Sequence, residues 1–108
     1  MMNHWIKASA AALLMGGMAV TGLASAEGDP EAGAEKVAVC AACHGMDGKA
    51  TADIYPSLSG QSATYLEMSL KAYRDDLRGG GMAAVMTPQA INLSDQDIAD
   101  IAAYYSQQ

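Results

Sequence analysis

Val39-Cys40-Ala41-Ala42-Cys43-His44-Gly45 is the stretch that decides how this chain folds. Two cysteines three apart, with a histidine directly after the second, form the pattern of a covalent haem c attachment site. Each thiol bonds one vinyl group of the porphyrin, and His44 then lies under the iron as its proximal ligand. The two alanines are small enough for the backbone to pass close beneath the ring. Zinc would ask for four ligands, usually as two separated pairs. The chain has two cysteines and two histidines in all, the other histidine being His4. A thioredoxin-like redox pair needs a βαβ setting, and no strand pattern surrounds these residues. A disulfide closing so short a loop stabilises little, and it leaves His44 without a role.

Upstream, residues 1–26 read as a secretory signal peptide. Lys7 and the terminal amine give the positive start, Ala8 to Val20 the apolar run, and Ala24-Ser25-Ala26 the small-residue cleavage site. The run falls short of the roughly 20 apolar residues that span a bilayer, so cleavage after Ala26 is expected, with no membrane span left behind. The mature domain, 27–108, has 82 residues and belongs in the periplasm. So short a chain has a marginal core unless something staples it. It has no Phe, and its one Trp lies in the leader. A haem bonded at three points supplies the missing apolar mass.

Without Lys7 the domain carries five basic against twelve acidic residues. A formal charge of −7 argues against nucleic acid or an anionic membrane as partner. The acidity is uneven: 27–48 carries −4, 82–108 carries −3, and the segment between is balanced. Its cations, Lys49, Lys71, Arg74 and Arg78, are expected in part near the haem edge.

Asp29-Pro30-Glu31 opens a helix with a good N-cap, proline at the first position and an acid in the first turn. This helix is predicted to run to about Val39 and deliver Cys40. Gly33 within it costs about 1 kcal/mol relative to Ala, which suits a close approach of another helix. Gly45 to Gly60 reads as a loop; within it the Pro56 carbonyl is available to accept the free ring N–H of His44. Ser62 to Arg78 is the longest predicted helix, with Leu66, Leu70, Tyr73 and Leu77 as one apolar stripe, ended by Gly79-Gly80-Gly81. Met82 to Asn92 reads as a loop. Ser94 and Asp97 resemble a capping box opening a last helix, which buries Ile98, Ile101, Ala102 and Tyr105. Tyr104 borders that face and is placed to meet Gly33. No strand signal occurs, so the fold class is all-α, three main helices around one haem.

With no second mature histidine, the sixth ligand falls among Met46, Met68, Met82 and Met86. Met46 is too close to His44 in sequence, and Met68 points off the apolar stripe. Met82 and Met86 sit in a loop that can reach over the ring, and Pro88 stiffens the second of them.

In these residues the chain resembles the class I c-type cytochromes, above all the branch of the di-haem periplasmic cytochromes and their single-haem relatives. The likeness runs from Gly28 to Tyr105 through Gly33, the cysteine motif, Asp47-Gly48, Tyr55-Pro56-Ser57-Leu58-Ser59-Gly60-Gln61, Tyr65-Leu66, Tyr73-Arg74-Asp75, Met86 and Leu93 to Tyr105. The resemblance implies Met86 as axial ligand, by its interval to Leu93-Ser94, and Pro56 as the acceptor for His44. It implies a helix crossing of Gly33 against Tyr104, Tyr65 in the haem environment, and Gln61 with Arg74 or Arg78 as partners of the propionates. It also implies an electron carrier with protein redox partners and no catalytic group of its own. The alternatives are a haem c subunit of a periplasmic oxidoreductase, and a five-coordinate sensor or enzyme that would bind carbon monoxide.

Overall fold

The chain is described from a computed structural model, which covers residues 16–17 and 27–108. The predicted leader, 1–26, therefore lies almost wholly outside the described residues. Among the described residues five helices follow in order: α1 Pro30–Lys36, α2 Ala38–His44, α3 Ala63–Arg74, α4 Met86–Ala90 and α5 Asp95–Ser106, with a 3-10 turn at Gly81–Val85 before α4. Among the described residues there is no strand, and no helix is long and apolar enough to cross a membrane.

The first predicted helix exists, but as two segments. Asp29 caps it by accepting the Glu31 N–H at 2.9 Å, as its sequence suggests. At Val37 the backbone leaves helical geometry, with φ −90° and ψ 3°. Val37 is also fully buried, so the break falls where the chain plugs into the core. Beyond it α2 carries the whole cysteine motif on helix, where the prediction had the helix stop short of Cys40.

α5 crosses α1 at Gly33. A Cβ there would collide with the Asp100 carbonyl and come within 2.8 Å of the Tyr104 Cβ, so only glycine lets the two backbones approach. The crossing is tied by Asp100, which is 2% exposed. Its carboxylate accepts from the Asp29 N–H at 2.8 Å, the Gln96 amide at 2.8 Å and the Lys36 ammonium at 2.6 Å. Those bonds, the Asp29 N–H first, hold the carboxyl down to about 2. The start of α5 is the predicted capping box: the Ser94 hydroxyl accepts from Asp97 N–H, and the Asp97 carboxylate accepts from Ser94 N–H, both at 3.0 Å.

α3 is shorter than predicted. It ends at Arg74, because Asp76 takes the left-handed conformation at φ 57°. Leu77 N–H then reaches back to the Ala72 carbonyl at 2.8 Å, and Asp76 N–H to that of Tyr73 at 3.2 Å, the bonding of a Schellman stop. The triple glycine is thus not the terminator. Leu77, expected on the buried stripe, is 80% exposed, while Leu66 is buried and Leu70 and Tyr73 are half-buried. The predicted loop 82–92 is also corrected: most of it is helical, as the 3-10 turn and α4.

The apolar core is thin. Val37, Leu66, Ala90, Ile98, Ala99, Ile101, Ala102 and Tyr105 are its buried members, and three of the eight are alanines. At roughly 1.5–3 kcal/mol per large buried side chain, these leave little margin against chain entropy.

Candidate functional site

Beside that core lies a cavity of about 1050 Å³. Protein interiors are close-packed, with few voids larger than a water molecule, so a space of this size is a place for a bound group. Its wall contains Cys40, Cys43 and His44 from α2, Pro56 and Gln61 from the following loop, Tyr65 from α3, Arg78, and Met82 with Met86 from the segment before α5. Leu66, Leu70, Leu93, Ile101 and Tyr105 complete an apolar lining in which no Asp or Glu takes part. The residues suit a haem: two thiols, an imidazole and two thioethers face one large apolar space.

The loop after α2 holds His44. Its Nδ1 lies 2.7 Å from the Pro56 carbonyl, and with Nδ1–H donating there, Nε2 keeps its lone pair for a metal. His44 is 8% exposed. Thr51 closes the end of α2, its N–H donating to the Cys43 carbonyl at 3.0 Å and its hydroxyl to Ala42 O at 3.1 Å. Gly48, at φ 73°, accepts from Leu58 and Ser59 N–H at 2.6 and 3.0 Å. These bonds fold the loop so that Pro56 faces the ring.

The four candidate methionines separate. Met46 and Met68 are exposed and do not line the cavity, whereas Met82 and Met86 do. Met86 is half-buried at the start of α4; Met82, in the 3-10 turn, is 63% exposed.

Of the candidate propionate partners, Gln61 and Arg78 line the cavity and Arg74 does not. Arg74 instead bonds Asp95 at 2.7 Å and the Leu93 carbonyl at 3.3 Å, fastening α3 to the start of α5. Arg78 lies past the end of α3, where the early helix stop frees it to turn toward the cavity. It donates to Ser69 Oγ at 2.9 Å and Tyr65 OH at 3.4 Å, and its guanidinium lies 5.0 Å from the Tyr73 ring centre. That donation holds the Tyr65 phenol below its usual pKa. Lys71 is paired with Glu67 at 2.9 Å.

Two tyrosines, Tyr105 of the cavity wall and its neighbour Tyr104, escaped sequence reasoning in their polar role. Tyr105 was expected only as core and Tyr104 only as a crossing residue. Their hydroxyls donate to the carbonyls of Gly45 at 2.9 Å and Met46 at 2.5 Å. The available signal was the absence of Phe: where an aromatic is buried as Tyr, its hydroxyl needs a partner.

An all-helical domain folded around an apolar cavity, with Cys-X-X-Cys-His on its wall, defines a c-type haem protein. The sequence model of the family described as "Cytochrome c" matches residues 30–108, and the chain belongs to that family. Cytochrome c-554(548) of Halomonas halodenitrificans is 67% identical over 81 residues, which cover 75% of this chain and 98% of that one. Cytochrome c4 of Pseudomonas aeruginosa is 50% identical over 91 residues, covering 84% of this chain and 44% of the relative. The crystal structure of reduced cytochrome c4 from Pseudomonas stutzeri matches with a TM-score of 0.66 at 45% identity, over 75% of this chain and 46% of that one. This chain thus spans less than half the length of these cytochromes c4. Its cofactor is covalently bound haem c, with its iron, and Cys40 and Cys43 fit the Cys-X-X-Cys-His attachment motif.

Proposed function

We propose that this chain is a periplasmic one-electron carrier, exported by residues 1–26 and working as the domain 27–108 with His44 and Met86 as axial ligands. The observation that carries the reading is the donor set of the cavity: one imidazole and a half-buried thioether, from different helices, line the same apolar space. When bound, the haem supplies a one-electron ferric/ferrous couple.

The chain's own residues tune and protect that couple. Cys40 and Cys43 anchor the group, and His44, donating from Nδ1 to Pro56, is a more basic ligand than a free imidazole. Met86 favours the ferrous state and so raises the potential. Met86 and Met82 both line the wall, and burial favours the former, which is half-buried where Met82 is mostly exposed. Leu66, Leu70, Leu93 and Ile101 exclude water. Arg78, Gln61 and Tyr65 offer donors to the carboxylates of the haem edge. With His44 and Met86 both holding the iron, the site would suit passing electrons to and from redox proteins and not binding a substrate at the metal.

In the ferric protein, Met86→Ala should remove the far-red sulfur-to-iron band, lower the potential and admit carbon monoxide to the reduced iron. Met82→Ala should change none of these. Loss of the band in the Met82 variant and not in the Met86 variant would reverse the ligand assignment. The exported chain should begin at Glu27, which its mass reads directly; an intact Met1 would refute the leader.

A further inference from the structure

Tyr104 and Tyr105 are consecutive residues of α5, and they donate to the consecutive carbonyls of Met46 and Gly45. Those carbonyls directly follow His44. Tyr105 is 1% exposed, and a phenylalanine would fill the same space without burying a hydroxyl. The hydroxyls tie a particular piece of backbone to the core. From Met46 the chain turns to Gly48, whose carbonyl holds Leu58 and Ser59. Pro56, two residues before Leu58, faces His44 Nδ1 at 2.7 Å. The bonds therefore form a closed circuit, from α5 through Gly45 and Met46 to Gly48, on to Leu58 and Pro56, and back to the imidazole.

We infer that Tyr105, assisted by Tyr104, is a positioning residue for the haem iron. Acting from α5, it holds the loop in the register that keeps the Pro56 oxygen against His44 Nδ1, and so sets the basicity and ring orientation of the proximal ligand. The inference rests on His44 being that ligand. A firm Nδ1–H···O bond makes the imidazole a stronger electron donor, which favours ferric iron. Loosening the loop weakens the bond and raises the potential. Tyr105 has the larger effect, because its hydroxyl is buried, whereas at the exposed Tyr104–Met46 bond water can take the place of a lost partner.

The test compares three variants of the haem-loaded protein: Tyr105→Phe, Tyr104→Phe and Ile98→Val. Ile98 is fully buried on the same helix but does not line the cavity. The readouts are the reduction potential and the paramagnetically shifted His44 ring protons of the ferric protein. Tyr105→Phe should raise the potential and move the ring-proton shifts. Tyr104→Phe should do the same to a smaller extent, and Ile98→Val should lower thermal stability while moving neither. If both tyrosine variants lose stability yet keep the wild-type potential and shifts, the hydroxyls are mere packing and the inference falls. Should Tyr105→Phe fail to accumulate, the potential of Tyr104→Phe decides alone. His44 ring protons at ordinary positions in the unmodified protein would instead refute the ligand reading, before any variant is made.

Discussion

The two sides of the cavity are built differently. The His44 side is fastened by bonds between residues well apart in sequence: Pro56 to His44, Gly48 to Leu58 and Ser59, and two tyrosines of α5 to the backbone directly after His44. The methionine side, 79–92, is held by bonds between near neighbours, Ala83 N–H to Gly80 O at 3.1 Å and Ile91 N–H to Thr87 O at 3.0 Å. It exposes Met82, Val85 and Ile91, and it buries only Ala90. One wall is fixed by its own bonds with His44 in place, whereas the other, on the proposed ligation, would gain order only on binding iron. Regions with few buried contacts and local bonds open at low free energy, so the methionine side is the adjustable half.

The largest effect expected is on what both walls share. Replacing Cys40 and Cys43 together by Ala removes the covalent group and leaves a core of eight buried apolar residues, three of them alanine. The far-ultraviolet helix signal should collapse at neutral pH. A fully helical double variant without haem would show that the walls stand without their ligand group.

Next in size is the scaffold behind the His44 side. Asp100→Ala removes the acceptor of Asp29 N–H, Gln96 and Lys36 and should cost about 3 kcal/mol in denaturant unfolding. The same carboxyl sets an acid limit. Its folded pKa is depressed to about 2 from the ordinary 3.8, so its stabilisation is complete above pH 4 and is lost as pH falls through 2. Asp100→Asn should be less stable at neutral pH and show a flatter acid limb. An unchanged acid limb would assign that sensitivity to other carboxylates.

Smaller effects probe the links into the methionine side. Gly80 has φ 99°, and a Cβ there would meet nothing within 4 Å. Gly80→Ala should therefore cost only backbone strain, about 1–2 kcal/mol. Asp76→Gly, at φ 57°, should gain roughly 0.5 kcal/mol by relieving a left-handed residue. A loss there would mean that the Asp76 side chain contributes more than its backbone strain costs.

How much of this was legible follows the same division. The haem motif and the Ser94–Asp97 box were readable as local chemistry, whereas the Pro56 role and the Gly33–Tyr104 crossing were legible mainly through the resemblance to c-type cytochromes, since alone they read as a turn proline and a helix glycine. Asp100 was not. In Asp95-Gln96-Asp97-Ile98-Ala99-Asp100 it reads as one more solvated acid, and only Asp29, 71 residues away, makes it a buried tie. The stop of α3 was hidden because a glycine run is the stronger signal for a left-handed stop, yet Asp76 takes that conformation first. That early stop also separates the two arginines, sending Arg74 to Asp95 and Arg78 to the cavity. The turns of 81–90 were invisible because methionine, alanine and valine beside glycines carry no cap or period.

The asymmetry of the two walls is tested most directly by denaturant titration of the ferric haem protein, following the far-red sulfur-to-iron band and the helix signal in one sample. The band should disappear at lower denaturant than the helix signal, because the methionine segment opens while α1, α3 and α5 remain packed. Coincident loss of the two signals would contradict it, making both walls one cooperative unit.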